Sequence, residues 1–201
     1  MYDPFQYESG YKYYITSNTG YYENLYFRTD KNFRDVNKAC GPIAATNIMI
    51  YWKNRSYSTC KNFMRGDGTW RKTFDELRST MHFFDDTYIG LFAVGTELFM
   101  DLHSTTGFTV SWSAPSSNGW QTVVNEIGSK GYPIVLLLQN HLLYGNHYVI
   151  AFKYVSFAYN DGSFSNYVQI CDGWSMKADR YINFTKGFKS GSIYTVTIRP
   201  N

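Results

Sequence analysis

Two β-rich runs on either side of a turn constrain the fold of this chain more than any other feature. Residues 147–157 and 167–172 are rich in Val, Ile, Tyr and Phe, and an Asn-Asp-Gly-Ser sequence at 160–163 lies between them. This arrangement is typical of a β-hairpin. The runs are not symmetric about the turn, so we expect a bulge or an asymmetric loop. Such a hairpin brings Asp172 to within a few residues of His147.

Alternation along the second run indicates which of its side chains share a face. Successive side chains of a strand point to opposite faces, so Val168, Ile170 and Asp172 share one face and Cys171 points to the other. We therefore expect Cys171 to be a poor competitor for the role of nucleophile.

A cysteine stands at the predicted start of an apolar helix. Cys40 is followed by Gly41 and Pro42, and then by apolar residues at helical spacing, namely Ile43, Ala44, Ala45, Ile48, Met49 and Trp52. Proline fits a first helical turn because its missing N–H would have no partner within the helix. The N–H groups and positive dipole end of that turn favour thiolate, and can lower a cysteine pKa from about 8.5 to about 3.5–7.5. Cys40 is therefore the candidate nucleophile.

Cys40, His147 and Asp172 together are the residue types of a cysteine-based catalytic triad. A thiol is only partly ionised near neutral pH, an imidazole can hold the ion pair and later protonate the leaving group, and a third group fixes the imidazole tautomer. His141 is the competing base, six residues earlier in the chain. Its neighbours indicate a loop that leaves a strand, so we interpret His141 as part of a cleft wall.

These motifs, in this order, resemble the papain-like cysteine peptidases, and within them the bacterial bacteriocin-leader-peptidase-like (peptidase C39-like) branch. Residues 40–45 resemble the start of its nucleophile helix, and residues 146–150 resemble its histidine strand. The Asp-Gly-Trp sequence at 172–174, followed by Arg-Tyr-Ile at 180–182, is similar to its third-residue segment. The resemblance spans residues 37–184. It implies an α+β fold with the nucleophile helix against an antiparallel sheet, and hydrolysis of a peptide or protein through a thioester acyl-enzyme.

One element of the family pattern is absent from this sequence. Members of the superfamily usually carry a glutamine that donates to the oxyanion hole, and the corresponding position here is Arg34. Asn37 and Asn32 are nearby amides that can replace it. We expect Asn37 and the backbone N–H of Cys40 to form the oxyanion hole.

Composition indicates one globular unit. The 201 residues are 44% apolar, and we expect residues 1–36 to form a tyrosine-rich arm or strands and residues 37–201 to form a single papain-like domain. The net charge of +3 is spread along the chain, so no nucleic-acid partner is expected. No apolar run approaches the ~18 residues of a membrane span. We expect a monomer.

Three cysteines, at positions 40, 60 and 171, lack the spacing of a zinc site. No metal or organic cofactor is therefore implied. A Cys60–Cys171 disulfide and three separate thiols are both compatible with the sequence. The charged fraction of 17% and the Tyr/Asn/Ser-rich composition favour a secreted or cell-surface setting, although the N terminus shows no signal peptide.

Helical and strand patterns fill the rest of the chain. A capping box at 73–76 predicts a helix that buries Phe74, Leu77, Met81 and Phe84. A second helix contains Leu98, Phe99 and Leu102, and a third contains Trp120, Val123, Val124 and Ile127 and ends at Gly128 or Gly131. Strands are expected at 134–138, 179–184 and 192–198. Helices followed by sheet predict the α+β class.

Two other functions remain open from sequence. Aromatic residues make up 19% of the chain, and exposed Tyr and Trp can bind sugars or extended peptides, which would make this a non-catalytic cell-surface binding module. Aromatic side chains that simply fill the core explain the same composition. A thiol acyltransferase or amidase would use the same three residues with an amine acceptor in place of water.

Overall fold

The chain folds into helices and one antiparallel sheet, which confirms the predicted α+β class. A computed structural model describes residues 3–18, 39–55, 70–81, 88–115, 118–174, 179–186 and 192–201, with Phe63 and Phe188. Its helices are Pro4–Gln6 (a 3-10 turn), Cys40–Asn54 (α1), Arg71–Met81 (α2), Ile89–Leu102 (α3) and Gly119–Val123 (α4), which continues into a π-helical turn, Val124–Ser129. The strands are Tyr13–Asn18 (β1), Phe108–Ser113 (β2), Ile134–His141 (β3), Gly145–Ala158 (β4), Phe164–Cys171 (β5), Arg180–Asn183 (β6) and Ile193–Pro200 (β7).

The sheet has the strand order β2-β7-β3-β4-β5-β6, and every pairing is antiparallel. The long strand β4 is its centre. One edge of β4 pairs with β3 over residues 147–151 and with β1 over residues 153–158. The N-terminal strand therefore extends the sheet beside the far half of β4.

The hairpin of β4 and β5 confirms the pattern read from the sequence. Its turn closes through hydrogen bonds from the N–H of Tyr159 to the carbonyl of Ser163 and from the N–H of Gly162 to the carbonyl of Tyr159. The ladder shifts register between Ala151 and Lys153. This irregularity is the bulge that the unequal runs require. It leaves Asp172 directly after the last residue of β5.

The two faces of the sheet carry different apolar clusters. Helices α1, α2 and α3 cover one face, where Trp52 is fully buried and its indole N–H donates to the carbonyl of Ile198 at 2.8 Å. α4 and the π-helical turn cover the other face, where Val123 and Ile127 pack against strand residues such as Ile170. Because Cys171 belongs to the first cluster, the predicted alternation along β5 is confirmed.

One predicted helix start needs correction, and a second predicted helix is confirmed. The capping box is wrong: α2 begins at Arg71, so Thr73 lies inside the helix and its hydroxyl instead donates to the carbonyl of Phe63 at 2.6 Å. The predicted helix with Leu98, Phe99 and Leu102 is confirmed as α3, in which Phe99 is buried and the two leucines lie on the solvent side. Phe84 lies outside the described residues.

The third predicted helix has an irregular second half. α4 is regular to Val123 and then widens into the π-helical turn that ends at Ser129. Among the described residues, no helix is long and apolar enough to cross a membrane.

Candidate functional site

Cys40 is the first residue of α1, as the sequence predicts. The helix starts after Ala39, whose carbonyl accepts the N–H of Ile43 at 2.9 Å. Cys40 is half-buried and packs against the apolar cluster under the helices. The N–H groups of a first helical turn point out of the helix end, so the thiol sits where negative charge is favoured.

Tyr148 is the residue of β4 that lies beside Cys40. Its ring is 3% exposed and stacks on Phe92, with centroids 4.8 Å apart and planes 12° apart. Burial raises the pKa of Tyr148, and the negative charge of the nearby Cys40 thiolate raises that pKa further. The phenol is therefore neutral at physiological pH. Its proximity to Cys40 follows from the alternation of β4, because Tyr148 and Ile150 face α1.

His147 precedes Tyr148 and points to the opposite face of the sheet. It pairs with Leu138 and shares its face with Val149. The imidazole is 4% exposed and lies between two aromatic rings, with centroid distances of 5.5 Å to Tyr144 and 4.5 Å to Trp174. Burial lowers the pKa of His147 because it disfavours the charged imidazolium, and the neighbouring Asp172 only partly opposes this effect.

A hydrogen bond to the main chain fixes the tautomer of His147. Nε2 of His147 lies 2.6 Å from the backbone oxygen of Asp172. A carbonyl oxygen only accepts, so Nε2 carries the proton and Nδ1 is the acceptor nitrogen of the neutral ring. Nδ1 is therefore the atom that can take a proton from a thiol.

The carboxylate of Asp172 has other partners. It is fully buried and forms an ion pair with the guanidinium of Arg180. The hydroxyl of Tyr144 donates to it over 3.2 Å, and the N–H of Trp174 donates over 3.0 Å. The sequence predicts contact between Asp172 and His147, and the residue does hold the imidazole, but through its main chain.

A glycine turn brings this cluster next to α1. Gly173 has φ +71°, in the left-handed region, and a Cβ placed on it would lie 3.4 Å from Cγ2 of Ile43, in the first turn of α1. The start of α1, the start of β4 and the turn after β5 therefore meet at one place.

His141 lies beside the cluster rather than at its centre. It is the last residue of β3, not a loop residue, and its ring contacts Tyr144 with a centroid distance of 5.3 Å. Nδ1 of His141 accepts the N–H of Leu143 at 3.2 Å. His141 also lines an apolar cavity of about 360 Å³ with Leu142 and Tyr181, and neither Cys40 nor His147 lines this cavity.

Two residues of the cluster have roles that sequence reasoning missed. Tyr144 and Arg180 both bind the Asp172 carboxylate. Arg180 follows Asp172 by eight residues, within the segment that carries the family resemblance. An ion pair between this aspartate and this arginine could therefore have been predicted from the sequence. Nothing in the sequence distinguishes Tyr144 from the other eighteen tyrosines of the chain.

The remaining predictions concern Asn37, the other two cysteines and metal binding. Asn37 and Cys60 lie outside the described residues. Cys171 is a thiol rather than half of a disulfide, and burial raises its pKa to about 12. In the described part of the chain, no group of three or more His, Cys, Asp or Glu side chains is arranged to hold a metal ion.

Comparison with known proteins gives no relative. No protein-family model, no curated protein and no solved structure matches this chain.

Proposed function

We propose that this protein is a cysteine peptidase or amide hydrolase in which Cys40 is the nucleophile and His147 the general base. The observation that carries the proposal is the hydrogen bond from Nε2 of His147 to the Asp172 carbonyl. This hydrogen bond leaves Nδ1 as the basic atom of a buried, neutral imidazole. The Asp172 carbonyl that accepts it directly precedes Gly173, which lies next to Ile43 in the first turn of α1.

The chemistry follows that of a thiol nucleophile paired with an imidazole. Nδ1 of His147 takes the proton of Cys40, and Sγ attacks the carbonyl carbon of an amide to form a tetrahedral oxyanion. The imidazolium then protonates the departing amine, which leaves a thioester on Cys40. Water deprotonated by His147 attacks the thioester carbonyl, the C–S bond breaks to release the acid, and the imidazolium returns its proton to the Cys40 thiolate. Outward N–H groups of the first turn of α1, including that of Cys40, are the proposed oxyanion donors.

Asp172 acts in this proposal as a positioning residue. Its carbonyl orients the imidazole, and its carboxylate is held by Arg180, Tyr144 and the N–H of Trp174. The carboxylate anchors the turn and so indirectly fixes the position of the carbonyl. His147 is buried on the face of the sheet away from α1, and Tyr148 lies beside Cys40. The proposed pair therefore acts only when the first residues of β4 move so that Nδ1 of His147 comes within about 4 Å of Sγ of Cys40.

The test is alkylation of Cys40 by iodoacetamide as a function of pH, read by peptide mass spectrometry. We expect the wild-type rate to reach its plateau well below the pH that an ordinary thiol requires, and His147→Ala to shift this profile upward. His141→Ala is the matched control, because it removes the neighbouring histidine, and it should leave the profile unchanged. Labelling of Cys40 no faster than that of an ordinary thiol, and indifferent to His147→Ala, would overturn the proposal.

A further inference from the structure

The solvent side of α3 carries apolar residues where a surface helix normally carries polar ones. Val94, Leu98 and Leu102 are 60%, 45% and 64% exposed, and they are spaced four residues apart. Because residues four apart lie on one face of an α-helix, these side chains form a single row. Half-exposed Leu91 extends the row by one turn, to a length of about 16 Å. We call these four residues the α3 stripe.

The other side of α3 already belongs to the core. Phe92 and Phe99 are fully buried, and Gly95 lies so close to α2 that an added Cβ would be 2.7 Å from Cγ of Met81. α3 is therefore apolar on both sides. A helix that is apolar all round is normally covered all round, whereas the exposed fractions show that this chain leaves the α3 stripe open to solvent.

α2 shows that the neighbouring surface is not built in this way. Its core side carries buried residues such as Leu77 and Met81, and its solvent side carries Lys72, Asp75 and Ser79. Exposed apolar residues in a row are thus a particular property of α3. Contiguous exposed apolar groups of this kind mark sites of association with other molecules.

The charges beside the α3 stripe are all negative. Glu97 and Asp101 are the two charged residues of α3, and both are exposed. Each directly precedes a leucine of the stripe, so both carboxylates lie on the same side of it. A third carboxylate, that of Glu76 in α2, lies 2.6 Å from Nε2 of His103 at the C-terminal end of α3.

This charge pattern selects the kind of partner. Cationic side chains opposite Glu97 and Asp101 form favourable pairs, whereas like charges brought together across an interface are unfavourable. Two copies of α3 packed through the stripe would bring their carboxylates together. A basic partner is therefore favoured over a second copy of this chain.

We propose that the α3 stripe binds a basic amphipathic helix of another protein. The apolar residues of that helix, spaced three or four apart, pack along Val94, Leu98 and Leu102, and its Lys or Arg side chains pair with Glu97 and Asp101. The surface is small, so the complex is weak and reversible. The proposal does not depend on the proposed hydrolysis.

The experiment measures the binding of two labelled helical peptides to the full chain by fluorescence anisotropy. The first peptide, of about 18 residues, has leucine at every third or fourth position and lysine elsewhere, and the second has glutamate in place of each lysine. We expect saturable binding of the lysine peptide and at least tenfold weaker binding of the glutamate peptide. The chain as a whole has a net charge of +3, which repels the lysine peptide, so this preference reports the local charge of α3.

A substitution within the α3 stripe has a matched control. Leu98→Lys should weaken binding of the lysine peptide about tenfold or more, because it interrupts the stripe and adds a like charge. Leu143→Lys makes the same change at a 69% exposed leucine in the turn between β3 and β4, and should leave binding unchanged. Both positions are exposed, so both variants should fold, which circular dichroism verifies.

The double variant Glu97→Lys/Asp101→Lys tests the charge pattern and should bind the glutamate peptide in preference to the lysine peptide. Failure of both peptides to bind, equal affinity for the two, or equal losses in Leu98→Lys and Leu143→Lys would each overturn the proposal. A dimer of the free chain that Leu98→Lys dissociates in sedimentation would also overturn it, because a second copy would then occupy the α3 stripe.

Discussion

Nε2 of His147 donates to the backbone oxygen of Asp172 at 2.6 Å, while the Asp172 carboxylate is engaged by Arg180. One residue thus serves two partners through two different groups. The main chain orients the imidazole, and the side chain anchors the turn. The orientation of the imidazole therefore depends on Arg180, which binds the Asp172 carboxylate and not the imidazole itself.

The tautomer and acidity of His147 are directly measurable. We expect ¹⁵N NMR to find the proton on Nε2 at neutral pH and a pKa below the usual 6.5, because burial disfavours the charged ring. The unfolded chain therefore binds more protons than the folded one as pH falls below 6.5. Stability contributed by His147 is present above 6.5 and is lost as pH falls toward the folded-state pKa.

A proton on Nδ1 of His147, or a pKa at or above 6.5, would contradict the expected geometry.

Removing Arg180 should destabilise the fold strongly. Arg180→Ala leaves the fully buried Asp172 carboxylate without its cation, and breaking a buried pair in this way costs about 3–5 kcal/mol. Urea unfolding followed by tryptophan fluorescence measures the loss.

The double variant Arg180→Ala/Asp172→Asn separates charge from packing. Its neutral amide no longer needs the guanidinium, so the double variant should be more stable than Arg180→Ala alone. Equal losses in the two would mean that Arg180 stabilises by packing and not by its charge.

Gly173 should tolerate no side chain without cost. At φ +71° an alanine is strained by roughly 1–2 kcal/mol. Gly162→Ala is the matched control, because φ there is +81° but nothing lies within 4 Å of the added Cβ. We expect similar losses in thermal stability for both variants. Only Gly173→Ala, next to Ile43, should also slow Cys40 labelling.

The two described cysteines should differ sharply toward alkylating reagents. Cys171 is 2% exposed and its pKa is raised to about 12 by burial, so its thiolate is scarce at neutral pH. We expect iodoacetamide to modify Cys40 in the native protein and to modify Cys171 only after denaturation. Native labelling of Cys171 at a comparable rate would show that β5 opens readily.

Acid should release the N-terminal segment from the sheet. The carboxylate of Glu8 accepts hydrogen bonds from the hydroxyls of Tyr159 and Tyr167. Burial raises the pKa of Glu8, but these bonds outweigh it and lower the pKa below 4.5. The stabilising contribution is therefore present above pH 4.5 and is lost as pH falls through the lower folded-state value.

Limited proteolysis between residues 3 and 18 measures this release, with an acid-tolerant protease. The protease should cleave Glu8→Gln faster than wild type at neutral pH, and the cleavage rate of this variant should depend less on pH. An unchanged cleavage rate in Glu8→Gln would mean that β1 pairing alone holds the segment.

Local patterns in the sequence determined the start of α1 at Cys40, the β4–β5 hairpin and the opposite directions of Ile170 and Cys171. These depend on proline at a helix start, on turn residues and on strand alternation, which act over a few neighbouring residues. Helix boundaries depended on distant partners and were harder to predict. Thr73 resembles a cap, but in the fold its hydroxyl reaches the carbonyl of Phe63.

Only the tertiary structure decided how the candidate residues face one another. The sequence predicts that Asp172 contacts His147. Because Arg180 and Tyr144 bind the buried Asp172 carboxylate, the contact with His147 is made by the Asp172 backbone carbonyl instead. Likewise, the register of β4 against β3 places Tyr148 beside Cys40 and His147 on the opposite face. These outcomes depend on burial, because a charge excluded from water takes its strongest partner, and burial is a property of the whole fold.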